Sequence, residues 1–96
     1  MICVQDVRDT TREVIAELLA PYVSERTYFK VRTITREMLL KLYGLNHMIL
    51  GYDGVVQNWT RKMSRIFSDL VVKGILTVYS ENSQGRLYKK IKEKEG

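Results

Sequence analysis

The sequence predicts a small α+β fold, with three helices and a small antiparallel sheet that ends in a β-hairpin. Three observations carry this expectation. Val14, Ile15, Leu18 and Leu19 recur at helical spacing near the N-terminus. A long amphipathic segment begins near Val55 or Val56 and runs to about Lys73, where Gly74 stops it. Two segments of strand-like pattern follow at once, Ile75 to Tyr79 and Arg86 to Ile91, around the polar turn Ser80-Glu81-Asn82-Ser83-Gln84-Gly85. Residues 1–96 are read as one domain. So short a chain buries a modest share of its surface, and dimerisation is a reasonable expectation.

Residues 1–8 read as an N-terminal arm. The first helix is expected from Asp9 to Ala20. Asp9 or Thr10 caps it, and Glu13 in its first turn suits the helix dipole. Pro21 ends or kinks this helix, with Tyr22 and Val23 as a further turn at most. Tyr28-Phe29-Lys30-Val31-Arg32-Thr33 is rich in aromatic and β-branched residues and reads as a short strand. Thr35 caps a second helix, Arg36 to Tyr43, with Met38, Leu39 and Leu42 as its buried stripe and Gly44 as its C-terminal cap. Gly51-Tyr52-Asp53-Gly54 signals a turn, and Asn46 to Leu50 is either a short extra helical turn or a packed loop. In the third helix, Trp59, Ile66, Phe67 and Leu70 fall within about 60° of Met63 on the helical wheel. Asn58, Arg61, Arg65 and Ser68 fall on the opposite side, with Lys62 and Ser64 on the two flanks. Gly85 supplies the positive φ that the hairpin turn needs. Residues 92–96 read as a charged, frayed tail.

The net charge of +5 is unevenly spread. Residues 1–25 hold five acids against two bases (−3), and residues 26–96 hold fourteen bases against six acids (+8). Positive charge therefore concentrates in the segments that the expected layout turns toward a polyanion. No apolar run is long enough to span a bilayer and no secretory signal pattern opens the chain, so an intracellular, DNA-associated location is expected. The single cysteine, Cys3, cannot form an internal disulfide, and a reduced thiol is the expected state.

Lys62-Met63-Ser64-Arg65-Ile66-Phe67-Ser68-Asp69-Leu70-Val71-Val72-Lys73-Gly74-Ile75-Leu76 resembles the recognition helix of winged helix-turn-helix transcriptional regulators. The pattern in that superfamily is close to T-V-S-R-x-L-x-x-L-x-x-x-G-L-I. Ser64-Arg65, Leu70, Gly74 and Ile75-Leu76 match it directly, while Lys62 stands at the threonine and Phe67 at the first leucine. Gly85-Arg86 followed by Tyr88 is similar to the wing return of such regulators. The similarity in order and spacing covers roughly residues 28–91, with the sharp matches in residues 62–91. The small size is also similar to that of single-domain winged-helix proteins of archaea and their viruses. The link between the second and third helices is longer than in a simple helix-turn-helix, and the third helix extends upstream through Gln57-Asn58-Trp59.

The resemblance implies sequence-specific binding of double-stranded DNA by a homodimeric transcriptional regulator. The helix at residues 56–73 would enter the major groove, with the wing at residues 80–86 beside it. Arginine pairs bidentately with guanine, and asparagine or glutamine with adenine. Arg61 and Arg65 are the expected base readers, with Gln57 and Asn58 on the same exposed face and Lys62 and Ser64 as phosphate contacts. Arg86 would enter the adjacent minor groove or clamp a phosphate. Lys89 and Lys90 point to opposite strand faces, so at most one is well placed, and Lys89 is retained as a contact. The first helix, through Leu18 and Tyr22, and the N-terminal segment with Cys3 are the candidate dimer surface. A polar helix face is ordinarily just solvated, but this one is cationic with no acid between Gly54 and Asp69.

Trp59 belongs by periodicity to the core rather than to a stacking site. His47 has no partners at ligand spacing, so no metal is expected, and no cofactor or small-molecule ligand is implied. No phosphate-binding glycine loop, activated nucleophile or carboxylate pair points to catalysis. Two rivals stand beside the regulator. One is a protein-interaction module on the same fold, and the other is a non-specific architectural or replication-associated DNA binder.

Overall fold

The computed structural model describes residues 3–82 and 85–91. The order of elements is α1 (Val4–Arg8), α2 (Arg12–Glu25), β1 (Tyr28–Lys30), α3 (Val31–Tyr43), α4 (Tyr52–Val72), β2 (Leu76–Asn82) and β3 (Gly85–Lys90). Among the described residues the fold is α+β, with four helices rather than three. The expected frayed tail at 92–96, and Ser83 and Gln84 of the expected hairpin turn, lie outside the described residues.

The expected arm contains the additional helix. Val7 is buried and Val4 packs against the core, so α1 lies against α4 rather than extending into solvent. In α2 the cap is Thr11, whose Oγ1 accepts from the Val14 amide at 3.4 Å, not Asp9 or Thr10. Pro21 neither ends nor breaks this helix. Its ring is at an exposed position, and Tyr22 and Val23 beyond it pack against the core. That packing offsets the one backbone bond that proline cannot donate. Val14, expected inside, is 44% exposed.

The strand expected over residues 28–33 stops at Lys30, and Val31 opens a helix. Ile34, Thr35, Met38 and Leu39 are buried and Val31 is partly so, a continuous helical stripe that strand propensity in Val31 and Thr33 had masked. Thr35 is therefore mid-helix rather than a cap, and its Oγ1 donates to the Val31 carbonyl at 2.7 Å. Leu42, near the helix end, is exposed.

The turn read at 51–54 is the start of α4. Tyr52, Val55, Val56 and Trp59 are all buried at helical spacing, so the helix begins upstream of the expected residues 55–56. Gly51, at φ 87°, turns the chain into it. Asn46 to Leu50 is neither helix nor packed loop, with Met48 80% and Leu50 96% exposed. Gly74, at φ 80°, ends α4, and the Ile75 amide donates back to the Leu70 carbonyl at 2.9 Å.

The sheet is antiparallel in the order β1-β3-β2. Phe29 is opposite Tyr88, and both side chains reach the core, where Phe67 lies against each ring at 6.0 and 5.2 Å between centroids. A bulge between Val78 and Ser80 inserts Tyr79 opposite no partner. Lys90 on the core side donates to the Val23 and Ser24 carbonyls at the C-terminal end of α2, a favourable place for a cation.

Candidate nucleic-acid interface

Three elements meet at an open groove of about 700 Å³. The end of β1 contributes Lys30, and the first two turns of α3 contribute Arg32, Thr33 and Arg36. The middle of α4 contributes Thr60, Ser64 and Ser68. The start of β3 contributes Arg86 and Tyr88. Among the described residues the lining thus holds four cations and several hydroxyls, and no carboxylate. The α3 contribution follows from its early start. A strand through Thr33 would have splayed Arg32 and Thr33 onto opposite faces, whereas a helix from Val31 gathers Arg32, Thr33 and Arg36 within about 100° of one another around its axis.

The N-terminal end of α3 is electrostatically unusual. Lys30 occupies the cap position and cannot accept a hydrogen bond, no side chain caps the helix, and no acid stands in its first turn. Cations are normally disfavoured at the positive end of a helix dipole. An anion set among Lys30, Arg32 and the first-turn amides relieves both the repulsion and the unmet donors.

On α4 the row Gln57, Arg61, Ser64, Ser68 follows the spacing i, i+4, i+7, i+11 and lies opposite the buried Tyr52, Val55, Trp59, Met63 and Ile66. Arg61 is about 60° around the helix from the centre of the groove-lining residues, and Arg65 about 100°. Both are exposed. Among the described residues, ion pairs join Arg26 to Glu37 and Arg86 to Glu81, leaving Arg32, Arg36, Arg61 and Arg65 without carboxylate partners. Arg86 Nε donates to Glu81 Oε1 at 3.0 Å, on the exposed hairpin. Hydrogen bonding with Glu81 and then with Tyr88 raises the Arg86 pKa above its ordinary value.

The structure brings together Ser64, Arg86 and, at the margin, Gln57 and Arg61 from the residues named by sequence. It sets three others apart. Lys62 lies about 160° from the groove side of α4. Its ammonium donates to the carbonyls of Arg8 (3.2 Å) and Thr10 (2.6 Å). It anchors the segment after α1 and does not stand where a groove phosphate would be. Lys89 projects from the outer face of the sheet, opposite Tyr88 and the groove, with its ammonium over the rings of Tyr28 and Tyr79. Asn58 is half-buried on the far flank of α4. Of the candidate dimer residues, Leu18 and Tyr22 pack against their own core, and the Arg26 guanidinium lies 5.2 Å from the Tyr22 ring centroid. Cys3 is exposed and free.

Sequence reading missed Lys30, Arg32, Thr33 and Arg36. A signal was present, since residues 26–36 hold four cations and no acid. Among the described residues no helix is long and apolar enough to cross a membrane, and no cluster of His, Cys, Asp and Glu could hold a metal ion. Comparison with protein-family models, curated proteins and solved structures gives no match.

Proposed function

We propose that this chain is a winged-helix protein that binds double-stranded DNA sequence-specifically and regulates transcription. The observation that carries the proposal is the carboxylate-free groove, in which four cations surround an uncapped helix N-terminus beside the exposed row of α4. Phosphates of one strand would lie along Lys30, Arg32, Arg36 and Arg86. Neutralising them provides the sequence-independent share of affinity. The α4 row would then face the major groove, where Gln57 and Arg61 have the chemistry to read adenine and guanine edges. Ser64 and Ser68 are short hydroxyls that accept or donate to either phosphate or base. Arg65, further round the helix, would reach the flanking backbone.

A two-fold dimer would present two such helices to half-sites about one helical turn apart. Leu18 and Tyr22 are committed to their own core, so its interface would rest on the exposed side of α2 and on the region of Cys3.

Selection from a randomised duplex pool at moderate salt tests the proposal. Enrichment of a single motif, in particular an inverted repeat, is the expected result. Binding without enrichment would support the architectural reading instead. Absence of binding even at low salt would refute DNA binding and leave the groove to an acidic protein.

A further inference from the structure

The outer face of the sheet, turned away from the groove, carries a second kind of chemistry. Register puts Tyr28, Thr77 and Lys89 in one row across the three strands, with Tyr79 brought beside them by the bulge. The two tyrosines are 47% and 58% exposed, and their rings meet edge to face at 5.4 Å between centroids. The Lys89 ammonium lies 5.7 Å from the Tyr28 centroid and 5.5 Å from the Tyr79 centroid. Among the described residues no carboxylate shares this face, because alternation places Glu81 on the other side of β2, where it pairs with Arg86.

We propose that this face binds single-stranded nucleic acid, with bases stacked on Tyr28 and Tyr79 and a phosphate held by Lys89. Exposed aromatic rings with a cation beside them, on an open sheet, supply the two elements that sequence-tolerant single-strand binding requires. The ring contacts hold the ammonium in place beforehand, so little of its freedom remains to be lost on binding. Charge also argues against a second copy of the chain as the occupant. An isologous sheet-to-sheet contact would bring the Lys89 of one copy toward that of the other inside an apolar patch, with no acid to offset them.

The test uses the full chain and two labelled probes, an oligothymidylate of about twelve nucleotides and an abasic strand of equal length and charge. Tyr28→Ala and Tyr79→Ala are each expected to weaken oligothymidylate binding by about tenfold, to leave the abasic strand and a duplex unaffected, and to be rescued by Tyr28→Phe and Tyr79→Phe. Both side chains are about half exposed, and the phenylalanine variants provide the comparison should an alanine variant be unstable. Unchanged oligothymidylate affinity in both alanine variants overturns the proposal. So does equal affinity for the abasic strand, or an equal loss in Arg32→Ala/Arg36→Ala, which would place the strand in the groove. A concentration-dependent dimer that Tyr79→Ala dissociates overturns it as well, and assigns the face to a second copy. Loss of duplex binding with oligothymidylate binding intact would bear on the groove alone.

Discussion

Removing Arg32 and Arg36 together probes the groove through a quantity that ordinary loss of stability does not imitate. Five cations, Lys30, Arg32, Arg36, Arg61 and Arg86, line or border it. If each neutralises one phosphate, the logarithm of duplex affinity falls with the logarithm of salt concentration with a slope of about −4.5. Between 50 and 200 mM salt the affinity then drops roughly 500-fold. With three cations left the slope becomes about −2.7 and the drop roughly 40-fold. The advantage of the native chain over Arg32→Ala/Arg36→Ala therefore shrinks about 12-fold across that range. Both arginines are exposed and, among the described residues, without carboxylate partners, so the double variant should unfold within about 0.5 kcal/mol of the native chain. Fluorescence anisotropy of a labelled duplex across a salt series reads the slope, and denaturant unfolding supplies the control. Equal slopes for the two chains, with both folded, would refute the placement of phosphates at the start of α3.

Other expectations follow from individual contacts. Glu81→Gln releases Arg86 and removes a charge that repels phosphate, so duplex affinity should rise about threefold at low salt and less at high salt. Lys62→Ala should cost about 1 kcal/mol in denaturant unfolding, because α1 loses its anchor at the Arg8 and Thr10 carbonyls, and should leave the salt slope unchanged. A slope reduced by about 0.9 would instead return Lys62 to the phosphate contacts. Trp59→Phe deletes the Nε1 donor to the Val7 carbonyl at 2.6 Å in the core, and hydrogen exchange should reveal faster opening of α1 with a global loss of about 1–3 kcal/mol. Leu50→Ser, at the exposed loop tip, should leave stability within about 0.5 kcal/mol, whereas a loss of 2 kcal/mol or more would mean the loop is packed.

The amphipathic character of α4 and the strand content of the hairpin could be read from sequence because their periodicities are undisturbed by competing signals. The early start of α3 could not. Val31 and Thr33 favour strand locally, yet Val31, Ile34, Thr35, Met38 and Leu39 also trace one helical face, and tertiary packing chose the latter. That single choice hid most of the groove, since Arg32, Thr33 and Arg36 converge beside Lys30 only if the helix begins at Val31. The glycines at 51 and 54 misled in a similar way. Gly51 does adopt a positive φ, but Tyr52 is buried at helical spacing with Val55 and Val56, so the turn ends at Gly51 and the helix begins at once. The reach of Lys62 was illegible for a different reason. A long side chain on the helix flank is free to reach backward, and its acceptors belong to a segment read as a loose arm. The pattern on α4 gave the direction of Arg61 and Ser64 correctly because direction there depends on helical phase alone.

The most direct measurement is amide chemical-shift mapping of the labelled chain during titration with a short duplex carrying the selected motif. The account predicts that shifts concentrate in residues 30–36, along Gln57, Arg61, Ser64 and Ser68, and at Gly85 to Tyr88, while exposed residues of α2 and the row Tyr28, Thr77, Lys89 stay unmoved. Shifts confined to α2 or to the outer sheet face, with residues 30–36 silent, would contradict it.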